Sequence, residues 1–383
     1  MTIGVAVPEL SEYVALDPCW AIGDPRHQAQ AAVDGWRAAG RLPVHGRDVR
    51  LAFREYRVNQ AGEKVAAARA LAEEDGAFAV IGGRDFTEGA CWLARSGVPV
   101  IDVNAVPSST LAAHTPWMFT LRAAQDVLYR AFIRWADHHG RLAGRAIGVF
   151  SDRLTRESTA AALAELDRLG HEVLIVLHSE GLGAGSERDH DAPAEFEHAG
   201  VELLLGFVGG SSWINTLRGC ADRGYTPALL DLETGEHTND VTARFHPPAL
   251  YDGTLALAMS RVGDVAAGWP FDLATESALA AYERHTGRGV AREAPVRSGE
   301  WSNLLITADL VSLLLTGLEH AGPGPTREVL VSGLEHIRDL PAASGADVSF
   351  TEGQHWGFRS ARTIRWDAGR AAWVAESDFD WPL

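Results

Sequence analysis

Residues 79–106 read AVIGGRDFTEGACWLARSGVPVIDVNAV. A short apolar run is followed by two glycines, by a stretch of helical composition that begins at Thr87, and by a second run rich in Val and Ile. A strand, a helix and a second strand in this order form a βαβ unit, whose two strands pair in parallel. This stretch therefore predicts an α/β fold built on a parallel sheet.

The same alternation of short apolar runs and helical segments extends over two blocks of the chain. In the first block, we predict strands at 2–7, 49–56, 78–81 and 98–103, and helices at 29–42, 62–74 and 87–95. In the second block, we predict strands at 146–150, 172–178, 202–208 and 227–231, with a helix at 155–169. Two such blocks predict two sets of parallel βαβ units, one in each block.

The remaining third of the chain adds elements of both kinds. We predict a strand at 253–259, helices at 273–285 and 301–320, and a hairpin of strands at 358–366 and 371–375. The Pro- and Gly-rich residues 321–325 end the long helix, and Thr326 is predicted to cap the next one. Because the helix at 301–320 is apolar nearly all round, we expect it to be buried.

The charge balance excludes some classes of partner. The chain carries 34 Lys and Arg against 51 Asp and Glu, a formal net charge of −17. Such a surface repels nucleic acid and anionic lipid, and no run of basic residues offsets it. No run of 18 apolar residues is present, so we predict no membrane insertion. Cys19, Cys91 and Cys220 are odd in number and far apart, and predict neither a disulfide framework nor a metal site.

Motifs for cofactor and metal chemistry are missing. The run GLGAGS at 181–186 is similar to a dinucleotide-binding loop, but no apolar helix follows it. The patterns GxxxxGK[ST], GxSxG and HExxH do not occur. We therefore predict no cofactor and no metal, and assign no catalytic residue.

Four local features, taken in order, resemble a known family. A first strand ends at Val7 and Pro8, residues 79–83 end the third strand, residues 97–101 lead into residues 104–106, and residues 118–122 precede a helix. Their order and spacing resemble the type I periplasmic, or solute-binding, protein family, as in branched-chain amino acid receptors and amide-sensing regulators. The resemblance covers nearly the whole chain.

The resemblance implies two Rossmann-like lobes with parallel sheets, joined by three hinge crossovers. Hinges would then lie near 119–122, 249–253 and 344–354. Lobe one would comprise residues 1–118 and about 255–340, and lobe two residues 123–248 and about 345–383. A ligand would bind in a cleft between the lobes, which close on it by hinge motion.

In such sheets, ligands bind outside the carboxyl ends of the strands, so the loops there supply the candidate residues of lobe one. They are Arg84, Asp85, Phe86 and Thr87 after the third strand and Asn104, Ala105 and Val106 after the fourth. The family places a Gly-Ser-type loop at 82–87 to hold a ligand carboxylate. This chain offers Arg84 instead, whose guanidinium can grip a carboxylate with two hydrogen bonds. The alternative for Arg84 is a surface ion pair with Asp85 or Glu88.

In lobe two, the candidates are Gly209, Ser211 and Glu233. Glu233 falls where the amino acid receptors carry the carboxylate that binds the ligand ammonium, although Asp231 and Glu236 are neighbours able to take that place. Arg84 and Glu233 together would suit a zwitterion. The glycines of these loops, Gly209 among them, serve either a tight turn or close approach of backbone to ligand.

Aromatic walls complete the predicted site. Trp20, Phe86 and Trp301 are the candidates, because small-molecule pockets are mostly apolar with few polar anchors. For Trp301, which begins the long apolar helix, packing in the core is the alternative.

We therefore predict a non-catalytic protein that binds a small polar ligand, amino-acid-like or amide-like, as a transport receptor or a ligand sensor. Its partner would be an ABC transporter permease or a regulatory protein. The alternative is an enzyme that uses the same fold, with Asp85, Asp102, Glu233 or a histidine as acid or base. We expect a cytoplasmic protein if Met1 is the native start, and an extracytoplasmic one if an export signal has been removed.

Overall fold

The computed structural model describes residues 1–16, 20–60, 62–179, 187–234, 237–290 and 299–383. The glycine-rich run at 181–186, Cys19 and Glu236 lie outside the described residues. Cys91 and Cys220 are free thiols. The chain divides into two compact units, the first comprising Met1–Ala124 and Phe271–Arg359 and the second Gln125–Pro270 and Ser360–Leu383.

The first segment of the chain alternates strands and helices from its start. Its strands are β1 (Thr2–Glu9), β2 (Arg50–Arg57), β3 (Ala79–Ile81), β4 (Val100–Asp102) and β5 (Met118–Thr120). Its helices are α1 (Ser11–Leu16), α2 (Pro25–Ala38), α3 (Glu63–Arg69, continued by a π-helical turn at Ala70–Glu74), α4 (Thr87–Arg95) and α5 (Ser108–Ala113). The strands form one sheet in the order β2-β1-β3-β4-β5, and all its pairings are parallel.

The second segment repeats the alternation. Its helices are α6 (Gln125–His138), α7 (Arg156–Arg168), α8 (Glu187–His198), α9 (Gly210–Arg223), α10 (Asp240–Ala243), α11 (Pro248–Tyr251) and α12 (Asp264–Ala267). Its strands are β6 (Ile147–Ser151), β7 (Val173–His178), β8 (Leu203–Phe207), β9 (Ala228–Leu232) and β10 (Leu255–Ala258).

The chain then returns to the first unit for three helices and ends in the second. These helices are α13 (Leu273–Thr286), α14 (Gly299–Ala321) and α15 (Arg327–Glu335), and the last strands are β11 (Ser360–Asp367), β12 (Ala372–Ala375) and β13 (Trp381–Pro382). Side chains start two of the helices, because Asp272 accepts from the N–H of Thr275 and Thr326 from that of Val329. Thr326 is therefore a helix cap, as predicted.

The sheet of the second unit has eight strands. Their order is β12-β11-β10-β9-β8-β6-β7, with β13 also paired to β11. The strands β6 to β10 pair in parallel, whereas β11 runs antiparallel to β10 and to β12. The core on this sheet is rich in aromatic rings, including the fully buried Trp213 and Trp373. The predicted α/β class with two largely parallel sheets is confirmed.

The long helix α14 is the core helix of the first unit. Among the described residues it is the one helix long and apolar enough to cross a membrane, yet 72% of its most apolar stretch is buried inside the protein. It packs against α2, α13 and α15. Its uniform hydrophobicity is therefore explained by neighbours on most of its faces, as the sequence predicts.

The chain crosses between the units at 124–125, 270–271 and 359–360. The sequence places these crossings near 119–122, 249–253 and 344–354. The second observed boundary is later because β10 pairs with β9, which keeps residues 255–258 in the second unit. The third is later because residues 340–358 bridge to one another and to β5.

Candidate functional site

In the first unit, the loops after β3 and β4 meet at Asp102, the last residue of β4. Its carboxylate is fully buried and accepts hydrogen bonds from the hydroxyl of Thr87 at 3.0 Å and from the side-chain amide of Asn104 at 2.8 Å. Burial raises the pKa of Asp102 to about 7, although these hydrogen bonds oppose the shift. One carboxyl group therefore ties together two predicted site residues and titrates close to neutral pH.

Asn104 fixes the shape of the loop after β3. Its carbonyl oxygen accepts from the backbone N–H of Asp85 at 3.1 Å, and its amide nitrogen also donates to the carbonyl of Gly83 at 3.3 Å. Asp85 has a left-handed backbone with φ of 56°, which aspartate tolerates better than most residues. Both the oxygen and the nitrogen of the Asn104 side chain are thus hydrogen-bonded within the protein. Ala105, half-buried, and Val106, buried, follow it with their main chain.

Arg84 lies at the same edge as Trp20. Its guanidinium carbon is 6.0 Å from the centre of the Trp20 ring, and both side chains are half-buried. The hydroxyl of Tyr56 donates to the carbonyl of Arg84, which holds the backbone of this residue in place. Arg84, Asp85, Thr87, Asn104 and Trp20 are therefore brought together within the first unit.

The other two predicted aromatic side chains, Phe86 and Trp301, pack against neighbouring rings of the first unit. Phe86 is fully buried, with its ring 5.2 Å from that of Tyr56. Trp301 packs on Phe271 at 5.1 Å, against the hydrophobic cluster beneath α13 and α14. Phe86 thus belongs to the core of the unit, whereas Trp301 is half-buried at its margin.

The glycines of these loops differ in the space that their surroundings leave for a side chain. A Cβ atom on Gly83 would lie 2.7 Å from the carbonyl oxygen of Ala6, and one on Gly82 would lie 2.9 Å from the Asp102 carboxylate. Neither residue has a positive φ, so close packing rather than a turn requires glycine there. Gly209 has nothing within 4 Å of such an atom. Open space at its Cβ position is what close approach of a ligand to the backbone requires.

In the second unit, Glu233 joins the carboxyl ends of two strands. It follows β9, is 6% exposed, and accepts from the N–H groups of Met259 at 2.5 Å and Ser260 at 2.8 Å just beyond β10. Glu233 is thus a buried carboxylate held rigidly at the edge where ligands bind in such sheets.

Asp231, which the sequence offers as an alternative to Glu233 for binding the ligand ammonium, is fully buried and hydrogen-bonded to other side chains. It accepts from His237 at 2.6 Å, from the hydroxyl of Tyr251 at 2.6 Å and from the indole of Trp213 at 3.2 Å. Burial alone would raise the pKa of Asp231, but His237 and the hydrogen bonds hold it below its usual range. Its role is to anchor the end of β9.

Gly209 and Ser211 lie at the start of α9. The N–H of Gly209 donates to the carboxylate of Asp152 at 3.1 Å, and Ser211 is exposed in the first turn of the helix. Behind Ser211, the hydroxyl of Ser212 is 3.2 Å from that of Ser179. A row of hydroxyl and N–H groups therefore marks this end of β8.

Two further polar pairs at the ends of strands are not predicted from the sequence. Ser151 at the end of β6 has its hydroxyl 2.7 Å from Nδ1 of His178 at the end of β7, and Tyr129 has its hydroxyl 3.0 Å from that of Thr234. The signal that locates Ser151, His178 and Thr234 is their position at the carboxyl ends of predicted strands. In the described parts of the chain, no group of three or more His, Cys, Asp and Glu side chains is placed to hold a metal ion.

Three features define the type I class of periplasmic binding folds. β1 lies inside the first sheet, the parallel strands of the second sheet are followed by antiparallel ones, and the chain crosses three times between the two units. The sequence model of the periplasmic binding protein family matches residues 21–371, and the chain belongs to this family. The resemblance inferred from the sequence is thus confirmed. No curated protein sequence matches the chain significantly.

Solved structures share the fold at low sequence identity. A leucine-binding protein from Thermotoga maritima has a TM-score of 0.71 at 15% identity, over 98% of each chain. A solute-binding protein of an ABC transporter from R. palustris, in complex with 4-hydroxybenzoate, has a TM-score of 0.75 at 13% identity, over 100% of this chain and 98% of that one. A substrate-binding protein from Desulfitobacterium hafniense, in complex with Leu, has a TM-score of 0.70 at 15% identity, over 98% and 99%.

Proposed function

We propose that the protein is a non-catalytic binding protein for a small carboxylate ligand of the amino-acid type. Glu233 carries this proposal, because a rigidly held and nearly buried carboxylate at the edge of the sheet is suited to an ammonium group. Arg84 supplies the complementary charge for a ligand carboxylate. An amide-like ligand would use the same polar groups without the full charges.

The ligands of the similar structures support a carboxylate. Leu, present in the Desulfitobacterium hafniense protein, and 4-hydroxybenzoate, present in the R. palustris protein, both carry one. They differ in that only the amino acid has an ammonium group. Arg84 is expected to serve both classes, whereas Glu233 favours the amino acid and repels the aromatic acid. Hinge closure of the two lobes around the ligand stays a prediction from the family resemblance.

Calorimetry tests this function directly. The wild type would be titrated with leucine, valine, 4-hydroxybenzoate and acetamide, alongside the variants Arg84→Ala and Glu233→Gln. Arg84→Ala should weaken every carboxylate ligand by about tenfold or more, and Glu233→Gln should weaken only the amino acids by a similar factor. The exposed Arg47 offers a matched control as Arg47→Ala. Silence of the wild type across the panel, or equal binding by all variants, would contradict the assignment.

The partner follows from the choice between receptor and sensor. We propose an ABC transporter permease as the partner, supported by the transporter proteins among the similar structures. A receptor of this kind works outside the cytoplasm, and a sensor works inside it. Expression of the native gene followed by cell fractionation distinguishes the two, since a cytoplasmic product would favour a regulatory partner.

An enzyme on the same fold is the second candidate, and one observation favours it. The pKa of Asp102 is raised to about 7 beside the hydroxyl of Thr87, and a group with such a pKa exchanges protons at neutral pH. Any ligand that binds would be incubated with the protein and followed by mass spectrometry. Conversion of the ligand that Asp102→Asn abolishes would establish catalysis, and recovery of intact ligand would exclude it for that compound.

A further inference from the structure

A concavity of about 380 Å³ lies in the second unit, at the amino ends of its parallel strands. The residues that line this amino-edge groove include Leu203, Leu230 and Leu255, the arginines Arg141, Arg145 and Arg365, and the acidic Glu376. Leu203 begins β8 and Leu255 begins β10, whereas Glu233 follows the opposite, carboxyl end of β9. The groove is therefore separate from the ligand site proposed above, although both lie on one sheet.

The charges at the groove are unusual for this chain. Arg365 bonds to Glu376 at 2.5 Å, so one of the three guanidinium groups is neutralised. Arg141 and Arg145 are exposed, and in the described parts of the chain neither side chain has an ion-pair partner. Glu202, which precedes Leu203 in the chain, accepts from the N–H of Ala146 at 3.3 Å. In a protein of net charge −17, this concave surface carries an excess of positive charge.

The floor of the groove increases the effect of these charges. Leu203 and Leu230 are 1% and 4% exposed, so apolar side chains rather than water lie behind the arginines. Charge interactions are stronger beside such a low-dielectric surface than in bulk water. Two neighbouring guanidinium groups can each donate two parallel hydrogen bonds to an oxyanion. The volume falls within the range of about 300–1,000 Å³ that is usual for small-molecule sites.

We propose that the amino-edge groove binds a small oxyanion with at least two negative charges, of the phosphate or dicarboxylate class. Arg141 and Arg145 hold the oxygens, and the half-buried Leu255 contacts any apolar part of the molecule. This second ligand is independent of the function proposed for Glu233, because the groups that hold it lie at the other end of the strands. The sheet of the second unit would then have one ligand site at each end of its parallel strands.

Thermal unfolding and calorimetry with the full chain test the site. Inorganic phosphate and succinate would be titrated separately at constant ionic strength, with chloride as the reference anion. The double variant Arg141→Ala/Arg145→Ala should bind at least about tenfold more weakly than the wild type. The double variant Arg47→Ala/Arg218→Ala removes the same charge from exposed arginines away from the groove and should bind as the wild type does. Unfolding without ligand shows that each variant is folded.

Each outcome decides the assignment. Saturable binding of phosphate or succinate that only the Arg141/Arg145 variant loses supports it, and the better of the two probes identifies the class. Saturable binding that the variant retains overturns it. An effect that does not saturate, or that chloride reproduces, also overturns it. Unchanged leucine titrations in the variant keep this result distinct from the function proposed for Glu233.

Discussion

The side-chain amide of Asn104 donates to the carboxylate of Asp102 at 2.8 Å, while its carbonyl oxygen accepts from the N–H of Asp85 at 3.1 Å. The end of β4 thereby holds the loop that follows β3. Because burial raises the pKa of Asp102 to about 7, the protonation of one carboxyl group is linked to the loop that carries Arg84.

Asp102→Asn should change how stability depends on pH. The pKa of Asp102 is about 7 in the folded protein and near 3.8 in the unfolded chain, so between these values only the unfolded chain ionises. The wild type should therefore lose free energy of unfolding relative to Asp102→Asn as the pH rises from about 4 through about 7, by up to about 4 kcal/mol. Urea unfolding across this range gives the difference, and a difference independent of pH would contradict the raised pKa.

Gly83→Ala and Gly209→Ala form a matched pair. The new methyl group at 83 meets the carbonyl oxygen of Ala6, and the strain should cost about 1–3 kcal/mol. At 209 the space is open, so the cost should stay under about 1 kcal/mol. Both are measured by chemical unfolding. Equal costs at the two positions would show that the loop after β3 relaxes freely.

Glu233→Ala should be far more damaging to stability than Glu233→Gln. Alanine leaves the N–H groups of Met259 and Ser260 without their acceptor, at about 1–3 kcal/mol for each buried donor. Glutamine keeps one acceptor oxygen in place and should cost about 1 kcal/mol or less. The two unfolding curves test this. Similar losses would mean that the charge of Glu233, rather than its acceptor oxygens, supports the strand ends.

Arg362 forms a buried ion pair with Asp264, and its loss should be severe. Arg362 is fully buried, and it also donates to the carbonyl of Val262 at 2.7 Å. Arg362→Met leaves buried Asp264 with the more distant Arg261, at 3.6 Å, as its one remaining ion-pair partner among the described residues, and should cost about 3–5 kcal/mol. Arg362→Met combined with Asp264→Asn should cost less than Arg362→Met alone, because no buried charge is then left unpaired. Additive losses in unfolding would contradict a direct coupling.

Much of the fold can be predicted from the periodicity of hydrophobic residues and from the residues that begin and end helices. Helix α4 is predicted at the bounds observed, because Thr87 opens the helical stretch and Gly97 ends it in a left-handed conformation. The three-residue strand β5 is not predicted, since so short a run shows no periodicity. The predicted helix at 62–74 is a helix whose last turn is π-helical, a change of hydrogen bonding that the apolar pattern does not reveal.

The candidate site is predictable in its place but not in its contacts. Parallel strands end at one edge of a sheet, so Arg84 and Asn104 are expected to be neighbours, and the structure places both beside Gly83 and Asp85. The hydrogen bond from the Asn104 amide to Asp102 depends on the tertiary structure, and the spacing of residues in the sequence does not reveal it. The burial of Phe86 has the same origin, since the fold of the loop turns its ring onto Tyr56.

The position of β11 has a consequence for biosynthesis. It pairs with β10 inside the sheet of the second unit, yet about one hundred residues separate the two strands along the chain. On the ribosome, β10 emerges long before β11 and meanwhile offers unpaired N–H and C=O groups to any other nascent strand. About one hundred further residues must therefore be translated before this edge is covered, which makes the growing polypeptide a natural client for chaperones.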